Sequence, residues 1–312
     1  MAIATSKSAS RGSDGGRLPT GVTPLVRLAA WAMLIAQSAI VLTGAVVRLT
    51  GSGLGCPTWP KCTDESLVNT PEMGVHGIIE FGNRLLGVGL GVLGVATIIL
   101  LWRLRRSRPD LFWLAVGLTA VVPLQAVIGG ISVLTELNPW IVAAHFVPSA
   151  VAVGVSAYFV RRTYDSGRNP RAVSSSALRA LSWVIGGLMV VVVVLGVLTT
   201  GAGPHAGDEL SARNGFDTLL ISRLHAIPVW LLVITTVIAR ALAARERLPQ
   251  LARALDVLLV VELLQGVIGY VQYFSGLPIV LVALHLVGAC ATIAAATVVV
   301  DANYQRDPLP QG

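Results

Sequence analysis

Charge is scarce in this sequence. Only 12% of its 312 residues are Asp, Glu, Lys or Arg, about half of what a soluble chain carries. With 54% hydrophobic residues, too little polar surface remains for an ordinary fold in water. Short segments of alternating polarity are missing too, which excludes a transmembrane barrel. Residues 1–23 hold no apolar run; they read as a disordered, Ser- and Gly-rich cytoplasmic tail and not as a cleaved signal. Cysteine is limited to three positions, and no second Cys/His pair stands near Cys56 and Cys62 to complete a zinc site.

Long apolar runs take the place of what is absent. A bilayer core needs roughly 20 apolar residues per helical crossing. Segments near 24–48, 77–102, 111–134, 139–160, 178–200, 218–242, 252–275 and 278–300 meet that requirement. The expected fold is an all-α integral membrane protein of eight transmembrane helices. The net charge of +7 could point to nucleic acid, but its distribution excludes that partner. Arginines cluster in alternate connections, such as Arg103, Arg105, Arg106 and Arg108, or Arg161, Arg162, Arg168 and Arg171. The intervening connections hold acids instead, among them Asp64, Glu65, Glu136 and Asp208. Basic connections stay on the cytoplasmic side, so both termini are expected inside a multi-pass cell-membrane protein.

The segment Leu124-Gln125-Ala126-Val127-Ile128-Gly129 recurs as Leu264-Gln265-Gly266-Val267-Ile268-Gly269. The register continues to Val142-Ala143-Ala144-His145 and Val282-Ala283-Leu284-His285, each histidine 20 residues after its glutamine. Apolar low complexity does not place Gln and His at one offset, so a four-plus-four duplication is expected. An even number of helices per half makes the repeats parallel. The halves are 24–160 and 178–300, joined by a cytoplasmic linker at 161–177 and followed by a tail at 301–312.

His145, His225 and His285 fall near the outer starts of the fourth, sixth and eighth spans. A histidine in a soluble helix is usually a packed core residue. Ionisable groups inside a membrane are costly and usually functional, and imidazole is a common axial ligand of haem iron. His225 and His285 can clamp one haem. In the first half, His145 faces a stretch with no histidine, Ile79-Glu80-Phe81-Gly82-Asn83-Arg84. Glu80 and Asn83 share a helix face, and Glu80 is either a surface carboxylate or a proton-transfer or electrostatic group beside an open iron position. Arg48, Arg84 and Arg223 break the charge pattern by lying on the outer side. They either snorkel to the interface or pair with haem propionates. Cys56 and Cys62, with Gly and Pro around them, can close a disulfide on an oxidising outer face; spacing leaves open whether it is structural or redox-active.

Gly44-Ala45-Val46-Val47-Arg48-Leu49-Thr50-Gly51-Ser52-Gly53-Leu54-Gly55-Cys56-Pro57, followed by Trp59-Pro60-Lys61-Cys62, resembles the first outer loop of bacterial haem A synthases, in their shorter, cysteine-containing branch. The stretch from Ile79 to Arg84 resembles that family's second-helix motif. The resemblance runs from the first span to the eighth. It implies an oxidoreductase that converts the C8 methyl of haem O to the formyl group of haem A for terminal oxidases. It further implies a resident haem b between His225 and His285, and a substrate haem O site in the first half where Glu80 matters for activity. The family commonly has histidine where this chain has Asn83, so substrate haem is expected on His145 alone, with Asn83 near the open face. A haem O synthase, an oxidase assembly factor, and a quinone or other redox partner are further expectations, besides the lipid bilayer. Two rival readings are a di-haem b-type electron-transfer protein and a membrane transporter.

Overall fold

The computed structural model describes residues 18–309. Eight helices are long and apolar enough to cross a membrane: α1 (Pro24–Leu49), α2 (Gly74–Leu101), α3 (Pro109–Leu134), α4 (Pro139–Arg162), α5 (Ser176–Ala202), α6 (Thr218–Arg245), α7 (Pro249–Phe274) and α8 (Ile279–Asp301). The protein is therefore a multi-pass membrane protein, as its hydropathy requires. Its helix starts are set locally. Proline stands at the first turn of α1, α3, α4 and α7, where its missing N–H costs no hydrogen bond. Side chains of Thr23, Asn138, Ser175 and Asp217 accept from free first-turn amides of α1, α4, α5 and α6.

Helices α1 to α4 close a ring, with α1 packed on both α2 and α4; α5 to α8 close a second ring in the same order. The rings meet through α4 on α8, flanked by α1 on α8 and α4 on α5. Each ring has its own apolar core. Met33, Leu101, Leu118 and Phe159 lie in the first, Ile185, Leu232, Leu255 and Val299 in the second. Val41, Val153 and Cys290 form a small cluster across the seam. The outward faces, including Leu28, Val88, Trp113, Val190 and Val267, are exposed and apolar, the surface a lipid solvent requires.

The turns of the two rings correspond. Leu137 and Leu277 both adopt positive φ, 59° and 60°. Each returns its N–H five residues back, Leu137 to Ser132 O at 2.8 Å and Leu277 to Gln272 O at 2.7 Å. The residue before them is Glu136 (φ 53°) in one turn and Gly276 (φ 79°) in the other. Glycine takes that left-handed conformation without a Cβ clash, whereas Glu136 must be held there by the closed turn.

At the end of the bundle holding the α4 and α8 C-termini, Asp301 gathers three guanidinium groups. Arg162 Nη2 lies at 2.6 Å, Arg306 Nη1 at 2.9 Å and Arg161 Nε at 3.1 Å. Strands β1 (Arg171–Ala172) and β2 (Tyr304–Gln305) pair antiparallel beside them. Of the segment expected as an N-terminal tail, residues 1–17 lie outside the described residues. Val22 packs on the first core, and Leu18 O accepts from Arg103 Nη1 at 3.2 Å. In the segment 301–312, residues 310–312 likewise lie outside the described residues.

Candidate functional site

At the opposite end, the even-numbered helices all begin on one side and carry the candidate residues to one depth. His145 and His285 lie six residues after Pro139 and Ile279, Glu80 six after Gly74, and His225 seven after Thr218. At about 1.5 Å per residue these positions sit roughly 9–10 Å from the helix starts. The sequence reading put the three histidines at similar depth; Glu80 lies at the same distance into its own helix.

Every one of the three rings is seated on a glycine of its neighbour. A Cβ at Gly129 of α3 would stand 3.2 Å from His145 Cε1. The matching distances are 3.2 Å from Gly196 of α5 to His225 Cε1 and 3.4 Å from Gly269 of α7 to His285 Cε1. The backbone beneath two of the rings is pinned as well. Gln125 Nε2 donates to His145 O at 2.8 Å, and Gln265 Nε2 to His285 O at 2.7 Å. Gln125 also bonds Ser149 Oγ. The Gln-to-His offset noted in the sequence is thus a hydrogen bond, repeated once. Gly129 and Gly269 lie inside the repeated hexapeptide; Gly196 carried no such signal.

Nδ1 of His145, His225 and His285 is buried without a hydrogen-bond partner among the described residues, leaving Nε2 as the less enclosed nitrogen. Among the described residues, no group of three or more His, Cys, Asp or Glu is arranged around a bare metal ion. Lone or paired imidazoles suit haem instead, because the macrocycle supplies the remaining iron ligands itself. The donor set therefore fits haem.

The first half departs from the second where Asn83 stands. Asn83 Oδ1 accepts from Thr43 Oγ1 of α1 at 2.8 Å, a partner that sequence reasoning missed. Three residues earlier, Glu80 is 5% exposed and both of its oxygens are engaged. Oε2 accepts from Cys56 N at 2.6 Å, and Oε1 from Arg84 Nη2 at 2.6 Å. Arg84 then fans onto the loop after α1, donating to Cys56 O, Thr58 O and Lys61 O, each at 3.1 Å. Cys56 and Cys62 are joined by a disulfide and fully buried, their Cα atoms 4.4 Å apart. His76 Nδ1 bonds the buried Ser52 Oγ at 2.9 Å, and the Trp59 indole lies against Gly130 of α3. The disulfide loop is thereby clamped over the start of α2 and the end of α3.

The three outer arginines have different fates. Arg84 is spent on Glu80 and the loop. Arg48 Nε donates to His205 O at 2.6 Å and Nη2 to Thr200 O at 2.9 Å, tying α1 to the second half. The connection 203–217 bonds the first half again through Gly53 N to Gly207 O, 2.9 Å. Arg223, two residues before His225, is exposed and remains available to an anionic group.

The fold and the site define a multi-pass helical membrane protein that carries three imidazoles near the starts of its even-numbered helices. The chain belongs to the cytochrome oxidase assembly protein family (COX15-CtaA), whose family model matches residues 27–298. It is similar to a protein named heme A synthase from Bartonella bacilliformis, 23% identical over 84% of this chain and 88% of that protein. It is also similar to heme A synthases from Geobacillus thermodenitrificans, 28% identical over 49% of this chain and 47% of the relative, and Symbiobacterium thermophilum, 36% identical over 34% of each. The chain spans about half the length of several curated relatives that it matches.

Proposed function

We propose that this protein is a haem A synthase, an oxidoreductase that converts the C8 methyl of haem O to a formyl group. The observation that carries the reading is a histidine arrangement used twice with one member changed. His145, His225 and His285 share one depth and each sits on a glycine, while near the position of His225 at the repeat offset the first half carries Glu80 and Asn83 instead of a histidine. In this reading His225 and His285 pair, and His145 works with Glu80 and Asn83. In support, the relatives that share the family bear the name heme A synthase. The halves 24–160 and 178–300 act as parallel repeats joined by 161–177, a reading supported by the matched ring closures, turns and Gln–His bonds.

In this reading the second half holds a resident haem b between His225 and His285, and that haem supplies one-electron redox chemistry when bound. Arg223 stands ready for a propionate, with a fork of donors suited to a carboxylate. His145 Nε2 holds the substrate haem O from one side. Asn83, already accepting from Thr43, keeps its amide N–H groups for donation on the other side. Glu80 is a positioning residue: its carboxylate fixes Arg84 and the Cys56 amide, so the disulfide loop covers the substrate position and excludes water. The termini and the basic connections lie in the cytoplasm and the haem sites toward the extracytoplasmic face of the cell membrane, which the arginine distribution supports. Electrons leave to a quinone or another redox partner, and haem O arrives from its own synthase or an assembly factor.

The test is pigment extraction from cells that express the chain together with a haem O source. Wild type yields haem A, His145→Ala yields none while keeping its bound haem b, and His225→Ala loses the haem b. Bound haem b with no haem A from wild type would refute the enzyme reading in favour of electron transfer. Absence of any haem would favour a transporter.

A further inference from the structure

The end of the bundle away from the histidines carries a basic corner that the proposed activity does not use. Between the end of α6 and the start of α7 lies a cleft of about 490 Å³ lined by Arg240, Arg247, Leu248, Pro249, Arg253 and Asp256. Arg240 is paired with Asp256 at 2.5 Å. Arg247 and Arg253 are exposed and make no side-chain hydrogen bond or ion pair among the described residues. Three guanidinium groups against one carboxylate leave the cleft with a net charge of about +2.

Arg253 also borders a second depression, of about 250 Å³, on the outer face of α7 and α8. Its other walls include Val257, Ala295 and Val298. From Arg253 to Val257 the groove descends about one helical turn, roughly 6 Å, toward the membrane middle. Val257 is 58% exposed on the bundle surface. Arg253 thus borders both the cationic cleft and an apolar furrow facing lipid.

The matching corner of the first half is closed by the protein itself. At the repeat offset, Leu248-Pro249-Gln250 corresponds to Arg108-Pro109-Asp110. There Arg108 Nε and Nη2 reach the two oxygens of Asp110 at 2.9 and 2.8 Å, Nη1 reaches Asp165 O at 2.8 Å, and Nη2 also reaches Arg162 O at 2.6 Å. In the second half that arginine and that acid are both replaced. Helix α7 has no capping side-chain hydrogen bond and no acid in its first turn. Among the described residues Asp256 is the one carboxylate paired with the cleft's arginines, Glu246 being bonded to Ser175. We infer that this cleft binds the phosphate head of an anionic phospholipid, with Arg247 and Arg253 on the phosphate and one acyl chain along the furrow of Val257, Ala295 and Val298. Arginine forks recognise phosphate oxygens, and basic pockets between transmembrane helices hold anionic lipid heads. The apolar furrow selects a lipid over free phosphate.

The test titrates detergent-purified full-length protein with phosphatidylglycerol and reads bound lipid by native mass spectrometry. Phosphatidylcholine of the same chain length and inorganic phosphate serve as the other probes. Wild type is expected to retain one phosphatidylglycerol, with affinity at least about tenfold above phosphatidylcholine, or about 1.4 kcal/mol. Arg247→Gln/Arg253→Gln should remove that preference. Arg105→Gln/Arg106→Gln, which deletes the same charge at the corresponding end of the first half, should leave it intact. Val257→Trp fills the furrow without altering charge and should also displace the lipid, which guards against a folding defect in the arginine variant. Equal loss in the Arg105/Arg106 variant would overturn the site in favour of general surface charge. Unchanged binding in Val257→Trp, or inorganic phosphate that competes fully with the lipid, would overturn its assignment to a lipid.

Discussion

The glycine seats under the histidine rings give a graded test with an internal control. The pair proposed for one haem rests on two different seats, Gly196 under His225 and Gly269 under His285. A methyl group added at Gly196 would stand 3.2 Å from Cε1, and one at Gly269 3.4 Å. Carbon atoms rest at about 3.5–4.0 Å. His225 must therefore retreat by roughly 0.3 Å or more in Gly196→Ala, while His285 needs almost no movement in Gly269→Ala. Overpacking of this kind costs about 1–3 kcal/mol. If about half is felt as misdirected ligation, haem affinity drops by about two- to thirteenfold in Gly196→Ala. The assay is haem per protein after purification, with the low-spin signal as a check on ligation. Gly196→Ala should retain clearly less haem than wild type, and Gly269→Ala should stay near wild type. Equal losses, or the reverse order, would refute the reasoning, because both substitutions act on the same proposed cofactor and differ only in clearance.

Other outcomes follow from the same geometry. Asn83→His adds an imidazole opposite His145; a new low-spin haem signal should appear in the first half as haem A formation falls, and an unchanged spectrum would count against the open-face arrangement. Glu80→Gln keeps an acceptor for the Cys56 amide but removes the charge that holds Arg84. Haem A yield should fall with haem b content unchanged, and proteolysis within residues 51–70 should quicken; a yield equal to wild type would exclude the positioning role. Asp301→Asn leaves three arginines around a neutral amide, and the buried Arg162 pair should make it about 3–5 kcal/mol less stable. The exposed Arg240–Asp256 pair should cost about 1 kcal/mol or less when broken. Unfolding in graded denaturant measures both, and comparable effects would show that burial does not govern these pairs.

Much of this arrangement was readable in the sequence, for identifiable reasons. A bilayer demands uninterrupted apolar helices, so scarcity of charge alone located the eight spans, within about four residues of their observed starts. Gln125 and His145, with Gln265 and His285, stood out because two polar types at one offset cannot come from low complexity. What escaped detection rests on backbone groups or on small residues. The fan of Arg84 ends on main-chain oxygens of Cys56, Thr58 and Lys61, which no residue type advertises. Arg48 read as a propionate candidate for the same reason, although it bonds Thr200 and His205 carbonyls. Gly196 is one glycine among 32, outside the repeated hexapeptide. Thr43 reveals its role only once α1 is laid against α2. In the sequence Asp301 reads as the first residue of a tail, because a charge at a helix end ordinarily meets water; in the structure it is buried at the end of α8.

Asp301 bears on how the two halves recognise each other. At the repeat offset its counterpart is Arg161, and these two side chains touch across the seam between α4 and α8 at 3.1 Å. If the parallel repeats are related by a two-fold axis along the membrane normal, a first half paired with a copy of itself would bring arginine against arginine. A second half paired with itself would bring aspartate against aspartate. Only the unlike combination joins opposite charges. Expressed as separate polypeptides, the halves should thus reject their own kind and assemble as a heterodimer, so an ancestral self-pairing would have become obligate complementarity through one change of sign.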